Sequence, residues 1–290
     1  MLDGALATEL ERRGEALHPT LWSADSLRTA PHAIQSVHED YILAGANIIT
    51  TATYQASATG FLRDGRSLAE AIELMKTADQ LATDARTACR KVGKPQPIYI
   101  ASSIGTYGAF TADGSEYTGQ FDISRTELED YHSLRWELAC EGPSDVLALE
   151  TLPSLIEIEV LMNLLDRTPD KEAWVSLSCP NGKTLADGTS LETVAAVVGD
   201  RRSVLALGVN CLAPALVEGL LRSIRGVTDL PLIAYANSGE VWDSGTRNWL
   251  DTAPARPVDT GSWRAIGCQI IGGCCRTTPD DIEKLAEALD

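Results

Sequence analysis

The feature that most constrains the fold is an alternation carried along the whole chain. Short apolar runs recur at 47–51, 97–101, 145–149, 173–177, 204–209, 232–235 and 269–271. Each is apolar on both faces, the pattern of parallel strands buried on two sides. Between them lie stretches of 3.6-residue periodicity at 31–43, 67–91, 125–139, 154–165, 191–198 and 213–224. The chain closes on Thr278-Pro279-Asp280-Asp281, where a Thr cap, a first-turn proline and acidic residues mark a helix start. Seven strands and a stub at Met1-Leu2 make eight βα units, which predicts a single-domain (β/α)8 TIM barrel over residues 1–290. A doubly wound open sheet is the competing α/β architecture. It is disfavoured because no G-x-G-x-x-G turn follows an early strand.

Charge and composition remove several function classes. Against 24 Lys and Arg stand 41 Asp and Glu, a formal charge of −17, which repels phosphate backbones and anionic membranes. Neither nucleic acid nor a membrane is therefore an expected partner; small molecules are. Oligomeric state is not legible. No apolar run approaches the roughly 18–20 residues of a membrane span. The chain opens on Met1-Leu2-Asp3-Gly4 without a leader pattern, and its seven cysteines show no framework spacing, so a reducing, cytoplasmic setting is expected.

Barrel chemistry gathers where strands end at their C-termini. Those ends read Asp3-Gly4, Thr51 to Thr53, Ser102-Ser103, Glu150-Thr151, Ser178-Cys179, Asn210-Cys211, Asn237-Ser238 and Gly272-Gly273-Cys274-Cys275. Irregular stretches at 107–121 and 239–264 follow strand ends and are candidate active-site loops. Adjacent cysteines form only a strained disulfide or act as separate thiolate ligands. With Cys211 as a third, Cys274 and Cys275 make a three-thiolate set whose fourth tetrahedral position stays open, the catalytic arrangement for zinc. The plain alternative makes them small buried hydrophobes. Cys89, Cys140, Cys179 and Cys268 read as structural, and none of the four histidines is a good general base. Asp3 and Glu150 directly follow apolar strands, where they either cap loops or hold a cation such as a substrate ammonium.

These residues, taken together, resemble the zinc-dependent homocysteine S-methyltransferases. The resemblance spans essentially the whole chain through Asp3-Gly4-Ala5-Leu6-Ala7-Thr8-Glu9-Leu10, 44–57, Glu150-Thr151-Leu152-Pro153-Ser154, Gly208-Val209-Asn210-Cys211, Asn237-Ser238-Gly239-Glu240 and Gly272-Gly273-Cys274-Cys275. It implies a (β/α)8 barrel with Cys211, Cys274 and Cys275 as catalytic zinc ligands. It implies that Asp3 and Glu150 hold the homocysteine amino group and that Trp22 packs near substrate. Thr53, Gln55, Ser102, Asn210 and Asn237 complete the expected substrate-binding set. Tyr54-Gln55 points to the branch using S-methylmethionine or S-adenosylmethionine. Ala5 and Ala236 depart from the family's usual glycine and proline, and only two residues precede Asp3. The implied reaction moves a methyl group from a sulfonium to a zinc-bound homocysteine thiolate, giving methionine. Selenocysteine or selenohomocysteine is an alternative acceptor. A non-catalytic zinc or redox-sensing thiol protein is the rival from another class, and a metal-free aldolase is disfavoured because no strand ends in lysine.

Overall fold

The computed structural model describes residues 1–93, 97–243, 248–250 and 259–289, with backbone alone at 241–243 and 248–250. Parallel strands β1 (Ile48–Thr50), β2 (Tyr99–Gly105), β3 (Val146–Leu152), β4 (Ala173–Leu177), β5 (Val204–Asn210), β6 (Leu232–Ala236) and β7 (Cys268–Gly273) form one sheet in chain order. A short antiparallel ribbon, Val241–Asp243 with Asn248–Leu250, stands apart from it.

The N-terminal stub closes this sheet. Leu2 bridges Ile48 in parallel, and its N–H donates to Ile271 O at 2.8 Å. Asp3 N–H donates to Ile48 O, and Gly273 N–H to Asp3 O, both at 3.0 Å. Met1 to Asp3 therefore take the eighth position between β7 and β1, and the sheet loses its two open edges. Glycine makes the seam possible: a Cβ on Gly272 would meet Leu2 Cβ at 2.7 Å and Asp3 O at 2.8 Å. The (β/α)8 barrel read from the sequence is thus the observed fold. Its eighth strand is a bridge rather than a ladder, because so few residues of the stub pair.

Eight helices alternate with these strand positions: α1 (Pro31–Leu43), α2 (Leu68–Lys91), α3 (Arg125–Glu141), α4 (Leu155–Asp166), α5 (Leu191–Val198), α6 (Pro214–Arg225), α7 (Thr260–Ile266) and α8 (Pro279–Glu287). Capping boxes start three of them: Ser67 with Glu70, Ser124 with Glu127, and Thr278 with Asp281. Outward residues of the strands, such as Leu147, Leu149, Val175 and Leu207, pack with the helices in one large core. Inward residues Leu2, Ala101, Ala148, Trp174, Ala206, Ile233 and Tyr235 fill the lumen as a separate cluster. A single Trp174 among alanines plugs the barrel, so whatever lies above it has a solid floor.

Two departures from the sequence pattern matter for the site. β2 and β3 run on through Gly105 and Leu152, past the ends of their apolar stretches, because backbone pairing such as Gly105 with Glu150 is indifferent to side-chain polarity. The stretch 107–121 is not a bare loop; it holds a helix, Tyr107–Thr111, and a 3-10 turn, Ser115–Tyr117. Of the other candidate loop, 239–264, residues 244–247 and 251–258 lie outside the described residues. Among the described residues no helix is long and apolar enough to cross a membrane.

Candidate metal and substrate site

A cavity opens at the C-terminal mouth of the barrel above the Trp174 and Tyr235 floor. Cys211, Cys274 and Cys275 all line it. Cys211 follows β5 directly, in a left-handed conformation (φ 54°) that few non-glycine residues adopt, with its N–H donating to Tyr235 O at 3.1 Å. Cys274 and Cys275 follow β7, held by Cys274 N–H to Ala236 O at 2.7 Å and Ser238 N–H to Cys275 O at 3.1 Å. Gly273 turns the chain toward Thr277, whose side chain any Cβ there would overlap.

The result is a cluster of three sulfurs within 4.8 Å of one another, Cys211 Sγ and Cys275 Sγ being 3.6 Å apart. Three thiolates on a tetrahedron with bonds of about 2.3 Å would sit about 3.8 Å apart. Hydrogen bonds from Cys274 and Cys275 hold the Cys211 thiol well below its usual range, and those two are pushed up in turn. The Tyr117 hydroxyl, 3.4 Å from Cys211 Sγ, and the Asn237 side chain add further hydrogen bonds to that sulfur. A soft donor set that faces a cavity on its open side suits a metal ion with one exchangeable position.

Two carboxylates share the cavity wall. Asp3 accepts Thr50 N–H at 2.7 Å and also meets the Thr50 hydroxyl. Glu150 accepts the Tyr235 hydroxyl at 2.9 Å and the Ser103 hydroxyl. It sits at a bulge in β3, where the register shifts between Leu149 and Leu152 and Thr151 has φ 61°. Asn210 pins that bulge, accepting Thr151 N–H at 3.0 Å and donating to Thr151 Oγ1 at 2.8 Å. Burial pushes Asp3 up to about 8 and Glu150 up to about 7, against the opposing pull of their hydrogen bonds. Each also feels a neighbouring negative charge: Glu150 acts on Asp3, and Cys211 on Glu150. Among the described residues neither carboxylate has a cationic partner within ion-pair distance.

Of the site residues read from the sequence, the cavity brings together Asp3, Trp22, Gln55, Glu150, Asn210, Cys211, Cys274 and Cys275. Asn237 stands behind the Cys211 sulfur rather than on the wall. Thr53 and Ser102 do not reach the cavity; they line a small separate void with Asp79 and Arg135. The Thr53 hydroxyl is spent on Ser103 O at 2.7 Å. For Ser102 the reason is strand alternation. Ala101 points into the lumen, so its second neighbour Ser103 faces the site and Ser102 faces out. The same period of two, started from Ile233, would have found Tyr235. Glu116 and Tyr117 were also missed as individual residues, although the stretch that carries them was singled out.

A closed (β/α)8 barrel with three converging thiols and buried carboxylates at its mouth defines a barrel enzyme built for sulfur and metal chemistry. The chain belongs to the homocysteine S-methyltransferase family, whose model matches residues 1–289. It is 41% identical to "Homocysteine S-methyltransferase YbgG" of Bacillus subtilis over 99% of this chain and 93% of that protein. The selenocysteine Se-methyltransferase of Brassica oleracea var. italica is 38% identical over 100% of this chain and 88% of its own length. Among solved structures, the metallated form of the homocysteine methyltransferase MmuM from Escherichia coli superposes with a TM-score of 0.88. It is 40% identical, covering 99% of this chain and 95% of that one.

Proposed function

We propose that this protein moves a methyl group from a sulfonium donor, S-methylmethionine or S-adenosylmethionine, to the thiol of homocysteine, giving methionine. Cys211, Cys274 and Cys275 hold zinc in this reading, and residues 1–290 act as one homocysteine-binding domain. The observation that carries it is the convergence of three thiols and two cation-seeking carboxylates on a single cavity. Zinc suits the donor set because three thiolates at tetrahedral spacing leave one position for substrate sulfur. Bound there, it would supply the positive charge that keeps an otherwise protonated thiol as thiolate at neutral pH.

The chain's own residues do the rest. Asp3 and Glu150 receive the homocysteine ammonium by charge-assisted hydrogen bonds. Ser103 and Tyr235 orient Glu150, and Asn210 fixes the bulge that aims it. Trp22 and Gln55 form wall, with Gln55 Nε2 donating to Ala109 O at 3.1 Å. In the transfer, a lone pair of the acceptor sulfur forms the new S–C bond. The donor sulfur keeps the pair of the bond that breaks and leaves as a neutral thioether. No protein nucleophile is needed, so the protein's contribution is placement.

A selenium acceptor is the second reading, supported by the likeness to the Brassica enzyme. A zinc-storing or redox-sensing thiol protein would leave Asp3, Glu150 and their hydrogen-bond supports without a purpose. A cytoplasmic setting, with small molecules as the partners, accords with the thiol chemistry. The test is a product assay with homocysteine and each sulfonium in parallel, alongside measured metal content. Stoichiometric zinc with methionine formed from either donor is the expected result. Metal without methyl transfer to any thiol or selenol would reject it.

A further inference from the structure

One carboxylate on the cavity wall has no role in the chemistry so far. Glu116 lies in the 3-10 turn Ser115–Tyr117, which follows β2 through the helix Tyr107–Thr111. Its Oε2 is buried and has no hydrogen-bond partner among the described residues. Burial pushes its carboxyl up to about 7, and the charge at Cys211 adds to the rise. A buried carboxylate oxygen left without a hydrogen bond at a cavity wall is costly, and it persists where a bound cation repays the cost.

The turn around it is built to hold that side chain still. Asp113 Oδ1 accepts Ser115 N–H at 3.0 Å and the hydroxyls of Ser115 at 2.6 Å and Thr111 at 2.8 Å. Gly108 lets the turn press onto the preceding helix, since a Cβ there would meet Glu116 Cα at 2.8 Å. On the other side, Tyr117 is tied to the Cys211 sulfur. The charge of Glu116 is felt at Tyr117 and Cys275, that of Glu150 at Asp3, and Tyr54 between them feels both. The cavity wall thus carries a third acid besides Asp3 and Glu150, and Glu116 is the one whose chain neighbour, Tyr117, reaches the Cys211 sulfur.

The proposed reaction brings two ligands, and their positive charges differ in kind. The acceptor has one cation, its ammonium, which the Asp3 and Glu150 pair matches. The donor has two, its own ammonium and the charge on its sulfur, and of these only the sulfonium must lie next to the acceptor sulfur. Glu116 is the acid on that side. Resting on the functional reading above, we infer that Glu116 is the donor-binding carboxylate and takes the positive charge of the sulfonium.

This pairing has a consequence for rate. As the methyl group leaves, the sulfonium becomes a neutral thioether, so its attraction to Glu116 fades along the reaction. The interaction is stronger with bound donor than with the transition state, and it lowers the donor KM without raising kcat. It also releases the neutral product.

The experiment compares wild type, E116Q and E116D, each zinc-loaded, with melting temperature and metal content measured in parallel. Methyl transfer to homocysteine is followed with S-methylmethionine and with S-adenosylmethionine. For E116Q the donor KM should rise about 10- to 100-fold, the loss of one charge-assisted contact. The kcat should hold or rise, the homocysteine KM and the zinc content should stay within about twofold, and E116D should recover part of the donor affinity. An unchanged donor KM in E116Q, or a loss confined to kcat or to the homocysteine KM, overturns the inference while leaving the functional reading intact. A wild type that methylates homocysteine from neither donor overturns that reading, and this inference with it.

Discussion

The sulfur of Cys211 lies 3.6 Å from that of Cys275, although 64 residues of chain separate them. Nothing local brings them together. Cys211 leaves β5, Cys275 follows β7, and β6 lies between those strands in the sheet. The thiol cluster is therefore a property of the folded barrel, unlike a metal loop that binds its ion as a short peptide.

Removing the carboxylate of Glu150 separates substrate binding from metal binding. Glu150→Ala should raise the homocysteine KM by about 10- to 100-fold, the loss of a charge-assisted interaction worth about 1.5–3 kcal/mol. Bound zinc should stay near one per chain. Steady-state kinetics with metal analysis on the same sample checks both, and an unaltered homocysteine KM would take Glu150 out of the site.

Asn210 offers a milder test of the same geometry. Its amide is fully buried and makes two hydrogen bonds to Thr151. Asn210→Ala should lower stability by about 1–3 kcal/mol, because it leaves Thr151 groups unpaired. It should weaken homocysteine binding as well, since Glu150 loses its fixed aim. Denaturant unfolding together with kinetics would show the two effects; a destabilised variant with normal KM would mean that the bulge does not position Glu150.

The raised carboxyls set a pH dependence. Ligand-free Asp3 at about 8 and Glu150 at about 7 keep protons that an ionised partner for an ammonium has lost. Homocysteine KM should therefore fall as pH rises from 6 to 8, with proton release on binding, and Asp3→Asn should flatten the slope. The stability effect has the opposite sense. A carboxyl whose folded pKa is raised contributes stability that is full below the unfolded value near 4 and is lost as pH climbs through 7 and 8. Thermal melts of the ligand-free protein across that range should decline, and a flat profile would contradict the burial argument.

Metal should protect the thiols. Adjacent free thiolates oxidise readily, whereas coordinated ones are shielded. Peroxide after a chelator should inactivate the protein faster than peroxide alone. Equal rates would argue against a shared ion.

Much of this architecture was legible in the sequence because barrel strands buried on both faces are continuous apolar runs. Helices such as Pro31–Leu43 and Leu191–Val198 match their periodic stretches residue for residue. Asp3, Glu150 and the three cysteines were legible because polar residues that end buried strands stand out. What escaped has physical causes. Ser103 and Tyr235 sit within strands, where only the inward phase of alternation distinguishes them from Ser102 and Ala234. Glu116 and Tyr117 lie on a single 3-10 turn, too short to show a period. The stub at Met1-Leu2 reads as the eighth strand, but that it closes the barrel as a bridge rests on a few backbone hydrogen bonds and on the space above Gly272, neither of which a hydrophobic pattern encodes.

The central claim is that a folded three-thiolate site activates the acceptor thiol, and Cys211→Ala tests it most directly. The substitution removes one sulfur and few packing atoms, so circular dichroism should match wild type. After dialysis the variant should hold far less than one zinc per chain, and methyl transfer to homocysteine should be almost abolished. Full zinc occupancy with wild-type turnover in that variant would contradict the account.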